Sequence, residues 1–169
     1  SFVFFDVTVE DVNRPPKLDP ILNQSVKQNQ KLEFTVTASD LDAQFGDTLT
    51  FTVSHSNMTL TKVNETKAKV SFTPTNDDVG LNEIIATVQD AVGAKDNKTF
   101  IITVINANDP PSITSTPITR ATVNVPYVYE VRADDPDLRF NDNLTFSLLD
   151  FPAGMNLAQT DNVTGRITW

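Results

Sequence analysis

The chain repeats itself at an offset of 95 residues. Val9 falls on Val104, Asn13 on Asn108, and Pro15 and Pro16 on Pro110 and Pro111. The register continues without a gap: Ala38, Asp40, Asp42, Phe45, Asp47, Leu49, Thr50 and Phe51 meet Ala133, Asp135, Asp137, Phe140, Asp142, Leu144, Thr145 and Phe146. A spaced set of acids and apolar anchors kept in one register marks tandem copies of one structural unit. On this reading residues 1–12 match the last strand of a preceding repeat, residues 13–107 form one complete repeat, and residues 108–169 begin another. "TGRITW", residues 164–169, resembles "KAKVSF", residues 67–72, with a two-residue shift. The second repeat is therefore expected to be truncated before its last two strands, short by about the stretch from Phe72 to Ile105 in the first.

Within a repeat the hydrophobic period is two. "KLEFTVTA" alternates Leu32, Phe34, Val36 and Ala38, and "TLTFTV" alternates Leu49, Phe51 and Val53. Such alternation is that of half-buried strands. "NEIIATVQD" and "NKTFIITVI" supply two more, with "VGAK" as the turn between them, and no segment carries a helical stripe. About seven short strands in such a repeat fit a two-sheet sandwich of immunoglobulin-like size. A barrel is the alternative. An incomplete sheet exposes apolar edge, so the chain is read as a fragment of a longer array, or as one whose edges another chain completes.

Composition narrows the partners. With no cysteine, disulfides and thiolate metal sites are excluded, leaving packing and hard cations to hold the fold. A net charge of −9 disfavours nucleic acid and anionic membrane surfaces and suits a protein that gathers cations. The longest aliphatic run, "IITVI", is far short of the roughly 20 apolar residues of a spanning helix. The opening "SFVFFDVTVED" lacks the basic start of a signal peptide, so any export signal or anchor is expected outside this stretch.

Each repeat boundary is an apolar strand followed by amides, acids and two prolines, "VEDVNRPPKLD" and "VINANDPPSIT", with an Asp-x-Asp turn some 25 residues later. Together with "VSFTPTNDDVG", "IIATVQDAVG" and "TGRITW", this order resembles cadherin repeats, in particular the dystroglycan-type and bacterial cadherin-like modules, over nearly the whole chain. The resemblance implies an all-β protein of tandem Greek-key immunoglobulin/cadherin-like β-sandwiches, with calcium at the interdomain junctions. Residue chemistry agrees, since calcium takes about six to eight oxygens from carboxylates and carbonyls. At the first junction the expected ligands are Asp11 and Asn13 of the linker with Asp40, Asp42 and Asp90. At the second they are Asn106, Asn108 and Asp109 with Asp135 and Asp137, closed by Asp77 or Asp78 from the preceding repeat. The prolines would stiffen the link while the ion couples the domain ends. The chain departs from the classical cadherin pattern: Arg14 stands at a linker-aspartate position, Asn106 replaces another acid, and no D-R-E triplet occurs, "NDDVG" being its positional substitute. One or two ions per junction are expected, and at the first Arg14 could take the cation's place by pairing with Asp11 or Asp42.

Simpler readings stand beside these. Asp and Asn also cap turns without any metal. His55, in the polar "SHSNMT", is read as solvated, Trp169 and the phenylalanines as core, and Phe45 and Phe140 as packing beneath the acidic turns. Asn-x-Ser/Thr sequons occur at Asn23, Asn57, Asn64, Asn97, Asn143 and Asn162. Chance predicts about three, so the excess makes them glycosylation candidates for an exported protein. No catalytic constellation is present, and an enzyme is not expected. The expected function is an extracellular or cell-surface structural and adhesive module, a calcium-stiffened array whose partners are other repeats of the same chain and protein or glycan surfaces. Two alternatives are weighed: a spacer or carbohydrate-binding appendage of a secreted enzyme, and a strand-exchanging subunit of a surface filament in which residues 1–12 are donated and the chain self-assembles. Few aromatic side chains besides Phe argue against a sugar platform.

Overall fold

The alternating runs become strands in the computed structural model, which describes residues 3–9, 12–43 and 46–169. The chain divides into two compact units, Ser1–Ala107 and Asn108–Trp169. The first is a sandwich of two four-stranded sheets. One runs in the order β1 (Lys17–Leu18), β3 (Leu32–Ser39), β6 (Lys67–Phe72), β5 (Met58–Asn64), all antiparallel. The other runs β2 (Gln24–Lys27), β8 (Lys95–Ile105), β7 (Gly80–Gln89), β4 (Thr50–Val53), antiparallel except for the parallel pair β2–β8.

Period two in the sequence becomes one buried face per strand. Val36 and Ala38, Ala68, Val70 and Phe72, Ile84, Ala86 and Val88, and Phe100, Ile102 and Val104 all point into one core. Burying each of the larger side chains contributes roughly 1.5–3 kcal/mol, and it is this shared apolar face that fixes the strand registers. Among the described residues this unit has eight strands against the about seven expected, because the first strand is broken. Pro20 follows β1, and without an N–H it cannot extend the ladder to β3; the chain crosses over and resumes as β2 beside β8. The short 3₁₀ segments Asn76–Asp78 and Pro136–Phe140 also interrupt the expected strand-and-turn pattern. They are too short to carry a hydrophobic period, and Asp78 and Asp135 side chains cap them.

The second unit contains one sheet, in the order β11 (Asn156–Gln159), β12 (Thr164–Thr168), β10 (Val128–Asp134), β9 (Ser112–Ile113). The 95-residue offset carries β1 onto β9 and β3 onto β10. Leu32 stands opposite Phe72, and Tyr127 and Trp169 exchange backbone hydrogen bonds of 2.8 and 3.0 Å. Residues 119–122 and 145–148, at the offsets of β2 and β4, form no strand. In the first unit those strands pair with β8 and β7, which have no counterpart within residues 108–169.

Aromatic residues divide accordingly. Phe51, Phe72 and Phe100 are core, whereas Trp169 is 52% exposed with its indole N–H on the Ala153 carbonyl at 3.1 Å. Phe4 and Phe5 are also exposed, and residues 3–9 form no strand. Phe140 is half-buried under the Arg139 guanidinium, 5.0 Å from its ring; Phe45 lies outside the described residues. No helix among the described residues is long and apolar enough to cross a membrane.

Candidate metal centre

The described residues of the two acidic turns make the same hydrogen bonds, for the same reason. In each, an aspartate at the end of the β3-type strand accepts from the backbone N–H two residues on: Asp40 Oδ1 from Asp42 at 2.7 Å, Asp135 Oδ1 from Asp137 at 2.8 Å. Such Asx turns let the chain leave the sheet. The loop then closes through a 3.4 Å bond from the Asp47 N–H to the Asp42 carbonyl, repeated by Asp142 and Asp137. A left-handed residue precedes the closing acid in each case, Gly46 at φ 99° and Asn141 at φ 69°. Glycine and asparagine are the residues that tolerate this conformation at least cost.

The closing acid completes a cluster. Asp135, Asp137 and Asp142 each bring a carboxylate oxygen within 4.8 Å of the others, and Asp40, Asp47 and Asp90 do the same in the first unit. In the second unit Asp135 and Asp137 are 3% and 1% exposed. Asp135 Oδ2 and Asp137 Oδ1 are buried without a hydrogen-bond partner. A buried, ionised and unpartnered carboxylate oxygen is costly, and adjacent like charges add to the cost. A hard divalent cation removes both penalties, so this donor set, all oxygen and all anionic, fits calcium. The linker joins the cluster through its backbone, the Asp109 N–H donating to Asp137 Oδ2 at 2.5 Å.

The first unit solves the same problem differently. The Arg14 N–H donates to Asp42 Oδ2 at 2.6 Å, and its guanidinium Nη1 to Asp42 Oδ1 at 2.7 Å. Asp90 Oδ1 accepts from the N–H groups of Val92, Gly93 and Ala94, and its Oδ2 accepts from the Asn13 amide at 2.9 Å. The Asn13 amide, followed by those backbone donors, holds the Asp90 carboxyl below its ordinary range. Orphaned oxygens remain on Asp40 and Asp47.

Asp11 lies outside the described residues. Asn106, whose Oδ1 is buried without a partner, belongs to the first unit; Asn108 and Asp109 open the second, with the Asn108 amide on the Asp109 carbonyl at 3.0 Å. Asp77 is exposed in the first unit's 3₁₀ turn. Asp78 is buried there and accepts from the Thr75 N–H and hydroxyl at 2.7 and 3.0 Å. His55, read from sequence as solvated, is half-buried against the Phe72 ring with Nε2 3.3 Å from Asp78. Asp47 and Asp142 were not anticipated as ligands, although both recur at the repeat offset, which was the signal available. All six sequon asparagines are exposed. Asn23 and Asn162 use their amide oxygens to accept from the Ile101 and Leu144 N–H groups.

A sequence profile for the bacterial Ig domain matches residues 13–103. No curated protein matches the chain. Among solved structures, an endo-fucoidan hydrolase from glycoside hydrolase family 107 is 19% identical at a TM-score of 0.49, over 91% of this chain and 24% of that one. A titin domain is 14% identical at a TM-score of 0.42, over 56% of this chain and 98% of its own. An I-band fragment of titin is 11% identical at 0.42, over 93% of this chain and 56% of that one. The chain thus spans about a quarter of the hydrolase it resembles.

Proposed function

The chain belongs to the bacterial Ig domain family, and from that premise we propose that it is a non-catalytic, extracellular or cell-surface structural module stiffened by calcium at its acidic turns. One observation carries the reading: the deeply buried Asp135 and Asp137, each with an orphaned oxygen, beside Asp142. Calcium supplies a concentrated positive charge that carboxylate oxygens can share. The chain does the rest. Asx turns hold the carboxylates together, the Asp109 N–H ties the entering linker to Asp137, and Pro110 and Pro111 limit that linker's conformations. With the repulsion between carboxylates removed, turn and linker are held as one body, which in a tandem array translates into stiffness. Exposed sequons and a net charge of −9 agree with an exported setting, where adhesion to protein or glycan surfaces is the corresponding role.

Calorimetric titration of the chain with calcium tests this. Saturable binding with Kd of roughly 10⁻⁴–10⁻³ M is expected, abolished at the second unit's turn by Asp135→Asn with Asp137→Asn. Calcium at tenfold Kd should stabilise that unit by about 1.4 kcal/mol, read as a raised melting temperature. Absence of saturable binding overturns the proposal and leaves the acids as turn-formers.

A further inference from the structure

The linkers that enter the two acidic turns differ in charge. The entering linker is Asn13-Arg14-Pro15-Pro16 in the first unit and Asn108-Asp109-Pro110-Pro111 in the second. In both, the backbone N–H of the second linker residue donates to Oδ2 of the deeply buried aspartate, from Arg14 to Asp42 and from Asp109 to Asp137. Asp42 and Asp137 are equally buried, 2% and 1% exposed. Their remaining oxygens fare differently: Asp42 Oδ1 holds the Arg14 guanidinium at 2.7 Å, and Asp137 Oδ1 has no partner. A planar, permanently charged guanidinium thus occupies the oxygen that its repeat-mate leaves open.

We infer that Arg14 is a tethered cation built into the first turn, which makes the two turns unequal: the second is a calcium site, and the first is a weak one, stabilised largely from within. The inference rests on the calcium reading of the second turn and deepens it. Besides occupying Asp42, Arg14 places a positive charge where the second repeat carries the Asp109 carboxylate, and both effects oppose a second cation. Asp90 adds to the inequality, since both its oxygens already accept hydrogen bonds. The orphaned oxygens of Asp40 and Asp47 leave the first turn a residual affinity. An array built this way has joints of two kinds, one whose order depends on the calcium concentration and one that keeps its order without it.

The test is calcium titration by calorimetry of the 169-residue chain, of Asp137→Asn, and of Asp137→Asn combined with Arg14→Asp or Arg14→Gln. Since Asp137→Asn disables the second turn, the combined variants report on the first. In the unaltered chain the second turn should bind at least about tenfold more tightly than the first. Arg14→Asp reproduces the linker sequence of the second unit and should raise first-turn affinity about tenfold or more, with Arg14→Gln falling between. Circular dichroism without calcium verifies folding, and if Arg14→Asp does not fold, the neutral Arg14→Gln decides. Equal affinities at the two turns, or Arg14 variants that leave the first unchanged, overturn the inference while the calcium reading stands. No binding at either turn in the unaltered chain removes the calcium reading and the inference together.

Discussion

A methyl group at Gly165 would stand 3.0 Å from Leu157 Cδ1, 3.1 Å from Val131 Cγ1 and 3.3 Å from Phe146 Cγ. Three neighbours within reach of β12 would each have to give by a few tenths of an ångström, so here space favours glycine. Gly165→Ala should destabilise the second unit by about 1–2 kcal/mol, measured by urea unfolding followed through Trp169 fluorescence. An unchanged midpoint would mean that those side chains yield freely. This crowding was not legible in the sequence, where "TGRITW" showed only a strand pattern, because it arises from residues 8 to 34 positions away. The acids were more legible. Asp40, Asp42, Asp90, Asp135 and Asp137 announce themselves by recurrence or turn chemistry, and Arg14 by breaking the recurrence. Asp47 and Asp142 recur too, yet their approach to the cluster depends on a left-handed turn at Gly46 and Asn141 that local spacing does not disclose.

Among the elements, β3, β4, β7 and β8 could be read from alternation because each buries one face against a common core. The split of the first strand could not, since it depends on Pro20 and on which sheet each half finds. Once split, its first half is held by a polar link: Asp96 in β8 accepts from the Leu18 N–H of β1 at 2.9 Å and from the Lys98 ammonium at 2.9 Å. The Lys98 hydrogen bond first, then the Leu18 N–H, lowers the Asp96 carboxyl below its ordinary 3.8. A depressed carboxylate pKa adds stability above the unfolded value, and that contribution is lost as pH falls through the folded one. The melting temperature should therefore decline as the pH is taken below about 4. Asp96→Asn should melt a few degrees lower at pH 7 and show a shallower acid decline. If both chains share one pH profile, the link between the two sheets contributes nothing.

For the molecule as a whole, the two units offer their strands unequal protection. In the first, β7 and β8 pair over the full run from Gly80–Val104 to Gln89–Lys95 and lie under the opposing sheet, with Ile84 and Ile102 fully buried. In the second, β10 and β12 belong to a single sheet with fewer buried side chains, chiefly Tyr129, Val131 and Leu144. Opening such a sheet exposes less apolar area and so costs less free energy. Amide hydrogen exchange should find the slowest amides in β7 and β8, and β10 and β12 faster by about tenfold or more. Calcium should then act selectively, slowing exchange across residues 135–142 with a smaller effect on residues 40–43, where the Arg14 guanidinium already holds Asp42. Equal slowing at both turns would show that the tethered charge does not set their difference. Slowing at neither, under saturating calcium, would mean that the acidic turns keep their order without an ion.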